Sequence, residues 1–255
     1  MIYNNKMIIA GNVVEIYTYE KAQRRGAHAY KSKISSDGGS LTNEEERKMK
    51  DEKNIRDAVR RTKQTLRRSI NANAGNRNGE KDKFFTLTYA ENMTNLEQGS
   101  KDFRSFIKRL NYKIYRKESG LKYVCVVEKQ ERGAVHYHVI FFNLPYIPVA
   151  ELTDLWGHGY TSINAIDEVD NVGAYVVKYM TKTIEGDASG SAKEKGKKMY
   201  FSSRNLEKPT EVIADAEQIA LMTPFVVYEN SFENEFTGKV IYQQANLDRA
   251  QDKQE

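Results

Sequence analysis

One cysteine, Cys125, stands in 255 residues. A lone thiol excludes an internal disulfide framework and a cysteine-rich zinc site. Its setting, "KYVCVVEK", reads as a buried strand in which the thiol is a small core residue. No apolar run approaches the roughly 18 residues that a membrane-spanning helix needs. The opening stretch "MIYNNKMIIAGNVVEIYTYEK" lacks the layout of a signal peptide. The expectation is a cytoplasmic protein with no membrane partner. No G-x-x-x-x-G-K-S/T sequence occurs, which excludes a P-loop nucleotide-hydrolysing domain. No internal repeat is visible.

Charge is abundant and unevenly spread. Forty Lys/Arg against 35 Asp/Glu give a formal net of +5 and a pI near 9.0. Residues 211–255 hold nine acidic and three basic residues, a net of −6, which leaves +11 on the preceding 210. A basic body suits a polyanionic partner; the acidic end reads as a solvated segment or a protein-contact region. The length allows one or two domains with a sizeable core. The expected organisation is residues 1–75 as N-terminal strands and a basic helix, binding DNA or packed onto the core. Residues 76–210 form the catalytic body, and residues 211–255 an acidic C-terminal extension.

Residues 7–19 read as one or two short strands around Gly11, and "SKISSDGGS" (32–40) as a loop. From Leu41 to about Ile70 the pattern is helical, with Thr42 and Glu45 as a capping box. Ile55, Val59, Leu66 and Ile70 form its apolar stripe. Arg60, Arg61, Arg67 and Arg68 crowd the remainder, which suits either a solvated face or phosphate contacts. "KFFTLTYA" is a strand, and Phe103, Phe106, Ile107, Leu110 and Ile114 mark a helix over about 100–117. The other face of that helix is basic and includes Arg104 and Lys108. "LKYVCVVEKQ" and "AVHYHVIFF" are strands of a hairpin joined through "ERG". A short helix closed by Gly157, a strand "YTSINAI" and a helix "NVGAYVVKYMTKT" follow. This order predicts an α+β fold, an antiparallel sheet with helices on one face.

Residues two apart on a strand share a face, so His136 and His138 point one way and Tyr137 the other. Two neutral imidazoles so placed can chelate one divalent ion or ligate a substrate phosphate; taken alone, they also fit paired core or surface histidines. Glu128 precedes His136 by eight residues across the hairpin. Strand pairing can carry its carboxylate to the imidazoles, though it also reads as an exposed strand residue. Two His and a carboxylate with open positions suit Mg²⁺ or Mn²⁺; Gln130 is a fourth candidate. In the last helix Tyr175, Lys178, Tyr179 and Lys182 fall on one face, opposite Val172, Val176 and Met180. A phenolate is a competent nucleophile once its pKa, ordinarily about 10, is lowered by an ammonium or a metal-organised site. Lysine can neutralise a pentacovalent phosphate. An ordinary helix with half-buried tyrosines remains the other reading of this stretch.

"FFTLTY", "HYHVIFF" and "YVVKYMTK", in that order, resemble the three motifs of the HUH endonuclease superfamily. The paired tyrosines resemble those of the initiators of isometric single-stranded phages. Over residues 7–210 the chain is similar to rolling-circle replication initiators of small plasmids and phages of Gram-positive bacteria. That likeness includes "LPYIP", "LWGHG", "DNVGAYVVKYMTK" and "YFSSRNLEKP". The resemblance implies a ferredoxin/RRM-like antiparallel sheet and site-specific nicking and strand transfer on single-stranded origin DNA. It implies a divalent ion (Mg or Mn) held by His136, His138 and Glu128, and Tyr175 as the first nucleophile, leaving a 5′-phosphotyrosine. Tyr179 would be the second nucleophile or a helper, and Lys178 and Lys182 would touch the phosphate or assist metal replacement. Arg60, Arg61, Arg67, Arg68, Arg104 and Lys108 are the expected DNA contacts. Without a P-loop, strand separation would fall to a host helicase and replication machinery in the bacterial cytoplasm.

Thr86 and Thr88 share a strand face that would border the DNA, though β-propensity alone accounts for them. His158 reads as a structural loop histidine and Trp156 as core. Mobilisation relaxases and tyrosine HUH transposases use the same chemistry and stay open as alternatives. So does a non-catalytic origin-binding repressor, against which the intact His pair and both tyrosines speak.

Overall fold

The computed structural model describes residues 1–25, 44–75, 81–130, 132–166, 171–177 and 200–249. In chain order the strands and helices are β1 (Ile2–Ala10), β2 (Val13–Arg24), α1 (Glu44–Asn73), β3 (Lys83–Tyr89) and α2 (Leu96–Tyr115). Next come β4 (Tyr123–Lys129), β5 (Val135–Phe141), α3 (Val149–Trp156), β6 (Gly159–Ala165) and β7 (Tyr200–Ser202). The last are β8 (Thr210–Ile213), α4 (Ala216–Met222), β9 (Val226–Asn234) and β10 (Gly238–Asn246). Residues 172–177 are also helical. The chain divides into two compact units, Met1–Arg61 with Pro209–Glu255, and Thr62–Lys208. No described helix is long and apolar enough to cross a membrane.

The first unit is built on an antiparallel sheet in the order β8–β1–β2–β10–β9. Gly11, at φ 60, turns β1 into β2, a conformation glycine adopts without a Cβ clash. Met7, Val14, Ile16, Ala214 and Ala245 form its core, with Ile219 and Met222 of α4 packed against them. Residues 211–255, acidic in the sequence, thus carry β9, β10 and nearly all of β8.

The second unit has a sheet in the order β6–β3–β5–β4–β7, antiparallel throughout. Phe85, Leu87 and Tyr89 of β3 and Val135, Tyr137, Val139 and Phe141 of β5 supply one face of it. Phe103, Phe106, Ile107 and Leu110 of α2, with Leu152 and Trp156 of α3, pack on that face. The α+β expectation, with helices over one face, is met. Fully burying a side chain such as Phe106 or Leu110 stabilises the fold by roughly 1.5–3 kcal/mol.

Helix α2 starts four residues before the expected Ser100 because Asn95 caps it. The Asn95 Oδ1 accepts from the Glu97 and Gln98 N–H groups at 3.0 and 3.1 Å, which satisfies donors a helix start leaves open. It ends at Tyr115, where Arg116 takes a left-handed conformation (φ 54) and donates to Tyr112 O. Gly157 (φ 69) closes α3 in the same way. The Thr42 cap expected for α1 lies outside the described residues. Along α1, Ile55 is 39 % exposed whereas Leu66 and Ile70 are fully buried, so the apolar stripe takes hold only in the later turns.

Candidate active site

The strands align the polar groups in rows. Register pairs Glu128 with His136 across β4 and β5, and His136 with Thr88 across β5 and β3. In the next row His138 stands between Val126 and Thr86. Since neighbouring residues alternate faces, Glu128, His136, His138, Thr86 and Thr88 all lie on the side opposite α2 and α3. A turn brings this about. Gly133, at φ 81, donates to Gln130 O at 2.7 Å, and Gln130 N donates to Ala134 O at 2.9 Å.

Although Glu128 stands opposite His136, its carboxylate reaches diagonally. Glu128 Oε2 lies 2.5 Å from His138 Nε2. The other nitrogen of that ring, Nδ1, is 3.3 Å from the Thr86 hydroxyl, and Phe84 stacks on the imidazole at 5.9 Å and 8°. His136 is 8 % exposed. Its Nδ1 sits 3.4 Å from Gln130 Nε2, and its Nε2 is buried with no hydrogen-bond partner. Burial pushes the His136 imidazole below its ordinary pKa; Glu128 opposes that shift, while His138 and Arg132 add to it. The ring is therefore neutral near pH 7.

Among the described residues no group of three His, Cys, Asp or Glu side chains is arranged around a single ion position. The donor chemistry nevertheless fits a divalent cation. An amide's nitrogen and oxygen exchange by rotation. With the Gln130 oxygen turned in, His136 Nδ1–H donates and the buried, unpartnered Nε2 keeps its lone pair. With Thr86 accepting from His138 Nδ1–H, that Nε2 too presents a lone pair, beside a carboxylate. Each ring nitrogen facing outward thus has a partner able to set the tautomer, which metal-binding imidazoles need.

Tyr175 is 42 % exposed in the helical stretch 172–177, whose Val176 is fully buried. Lys178, Tyr179 and Lys182 lie outside the described residues. Arg104 and Lys108 are exposed on α2, across the sheet from the imidazoles; Lys108 Nζ pairs with Glu118 at 2.7 Å. Arg60 is solvent-facing and 3.4 Å from Asp57, Arg61 is exposed, and Arg67 and Arg68 are half-buried. The sheet's two faces therefore separate the expected DNA contacts of α2 from the His pair.

His158 and Trp156 lie on the α2 face. Trp156 is fully buried and its Nε1 donates to Thr88 O at 3.0 Å. His158 packs 4.9 Å from that indole, with its Nε2 3.9 Å from Asp102 Oδ1. The Tyr89 hydroxyl donates to the other oxygen of Asp102 at 2.9 Å.

Sequence reasoning missed Asn71. Its side chain, 6 % exposed at the end of α1, reaches across to the Tyr175 helix. Asn71 Oδ1 accepts from Gly173 N–H at 2.6 Å, and Asn71 Nδ2 donates to Asn171 Oδ1 at 3.0 Å. No periodic signal points to it; only Gly173, which leaves room for the contact, hints at a close approach.

Residues 82–184 match a family model of replication-associated proteins, the one that includes the ORF2 type. The matched segment is under half of the chain, and it holds Glu128, His136, His138 and Tyr175. It associates this region with DNA replication. No curated protein and no solved structure matches the chain.

Proposed function

We propose that the protein nicks and rejoins single-stranded DNA at a replication origin, starting rolling-circle replication through a 5′-phosphotyrosine. The observation that carries this reading is the cluster of Glu128, His136 and His138 on one sheet face, inside the segment matched to replication-associated proteins. When bound by His136, His138 and Glu128, a divalent ion such as Mg²⁺ or Mn²⁺ supplies Lewis-acid polarisation of a phosphate oxygen and orients the diester. Thr86 and Gln130 hold the two rings in their tautomers. The Tyr175 Oη attacks phosphorus, a P–O bond to tyrosine forms, and the P–O3′ bond breaks. The phenolic proton is lost to solvent, and the departing 3′-oxygen takes one up as a free 3′-OH.

Reversal by a 3′-OH rejoins the strand, and Tyr179, four residues on, is the candidate for the second cut that releases a unit circle. Lys178 and Lys182 would neutralise charge on the phosphate in the transition state. Strand separation is left to a host helicase. The test uses a supercoiled plasmid bearing the DNA that flanks the gene. Nicking that requires Mg²⁺ or Mn²⁺, and a covalent adduct lost in Tyr175→Phe, are the expected results. Binding without nicking under any divalent ion would instead favour an origin-binding repressor.

A further inference from the structure

We infer that Asn71 is a positioning residue for the attacking tyrosine, clamping the helix that carries Tyr175 against α1. The inference rests on Tyr175 being the nucleophile. A helix start leaves its first four N–H groups without intrahelical partners. Here Asn171 takes the N-cap place, its Oδ1 accepting from Ala174 N–H at 3.0 Å and its carbonyl from Tyr175 N–H at 3.1 Å. The Gly173 N–H, a further open donor, is taken by Asn71 Oδ1 at 2.6 Å. The other end of the same amide donates to Asn171 Oδ1 at 3.0 Å. One side chain thus caps the helix from a hundred residues away in sequence. It holds both the cap residue and the first turn.

The amide cannot turn over. Rotated, it would set oxygen against the Asn171 oxygen and NH₂ against the Gly173 N–H. Gly173 admits the contact because it has no side chain. A Cβ there would lie 2.6 Å from Asn71 Oδ1 and 2.8 Å from its Cγ, and would collide with the Arg67 carbonyl. Two of these three atoms sit in a buried amide and the third is backbone, so none can swing away. Tyr175 follows Gly173 by two residues, and its backbone N–H bonds the cap. The clamp therefore sets where the phenol stands relative to α1, which belongs to the same unit from Thr62 onward.

A displacement of about 1 Å in an attacking group costs on the order of a hundredfold in rate. The test follows single-turnover adduct formation with Mn²⁺ on the single strand that the wild-type protein nicks. Asn71→Ala is expected to slow the reaction at saturating DNA by about a hundredfold, with the half-saturating DNA concentration and Mn²⁺ binding unchanged. Asn71→Asp keeps the acceptor for Gly173 but faces the Asn171 oxygen with another, and should be slowed as well. Adding Asn171→Ser to Asn71→Asp should restore much of the rate. The serine hydroxyl donates to the carboxylate while still capping the helix, a role serine fills well. If Asn71→Ala does not fold, the Asp variant and its rescue decide alone. Wild-type rates in both Asn71 variants, with Tyr175→Phe inactive, would overturn the clamp and leave the nucleophile standing. An unchanged adduct in Tyr175→Phe would remove the premise, and the clamp's catalytic meaning with it.

Discussion

The two faces of the second sheet come from alternate residues of the same strands, and they are built to different ends. On β5, Val135, Tyr137, Val139 and Phe141 meet α2 and α3 in a dry aromatic core. Tyr137 stacks on Phe103 at 5.0 Å and Trp156 stands edge-on to Phe106 at 5.8 Å. One residue out of step, His136 and His138 meet Glu128, Thr86 and Gln130. The apolar face holds the strands rigidly, and the polar face inherits that rigidity. Catalytic groups placed on strands keep their geometry better than groups placed on loops.

Deleting a ring from the apolar face should have the largest effect. Phe106→Ala is expected to cost about 3–5 kcal/mol, read as a lower urea midpoint. Deleting a ring from the polar face should leave the fold and remove the chemistry. In His136→Ala or His138→Ala, nicking is expected to drop by about a hundredfold or more, with a midpoint within about 1 kcal/mol of wild type. A His variant that unfolds as readily as Phe106→Ala would break the contrast, making the imidazoles core residues.

Glu128→Gln is a subtler cut, keeping the shape and removing the charge beside His138. Calorimetric titration with Mn²⁺ should show affinity lower by about 10–100-fold and no change in the melting temperature beyond a degree or two, as expected for under about 0.5 kcal/mol.

Alkaline titration sharpens the contrast from the apolar side. Burial pushes the Tyr123 phenol up to about 12, Cys125 adding to the shift and Arg104 opposing it; burial also raises Tyr89 and Tyr137 well above the ordinary value. The fold holds these phenols neutral while the unfolded chain ionises them near 10. Their contribution is complete below that pH and is lost as pH rises from there toward 12. Phenolate absorbance from these three tyrosines should appear together with loss of ellipticity, not before it.

The smallest effect is expected from Arg104 and Lys108. They stand on α2 over the apolar face, so replacing both by Ala should leave the salt dependence of DNA binding unchanged. A slope that falls by about 0.7 per residue would mean that DNA also runs across α2. The same measurement on Arg60, Arg61, Arg67 and Arg68 tests α1.

The hairpin site was legible because its signal is local. Period-two alternation names the shared face of His136 and His138, and "ERG" implies the pairing that delivers Glu128. The diagonal reach of Glu128 to His138, rather than to its register partner, depends on side-chain rotamers that no spacing encodes. The ends of α2 shifted because Asn95 and Arg116 act through backbone geometry. In the first sheet the difficulty was solvent. Every residue of β9 after Val226 is exposed, so neither face carries the alternation by which a half-buried strand is recognised. Asn71 is a polar residue ending an arginine-rich helix, and its meaning comes from Asn171 and Gly173, far along the chain.

The first sheet also imposes an order of events during synthesis. Its central pairing joins β2 to β10, with Tyr17 opposite Tyr242, so the nascent N-terminal hairpin has to wait on the ribosome for nearly the whole message to be read. The second unit, continuous from Thr62 to Lys208, has all its strands in hand earlier, and domains of a growing chain fold as they emerge. A ribosome stalled just past β7 should therefore display a folded second unit beside an unpaired β1–β2 hairpin, waiting for strands not yet translated.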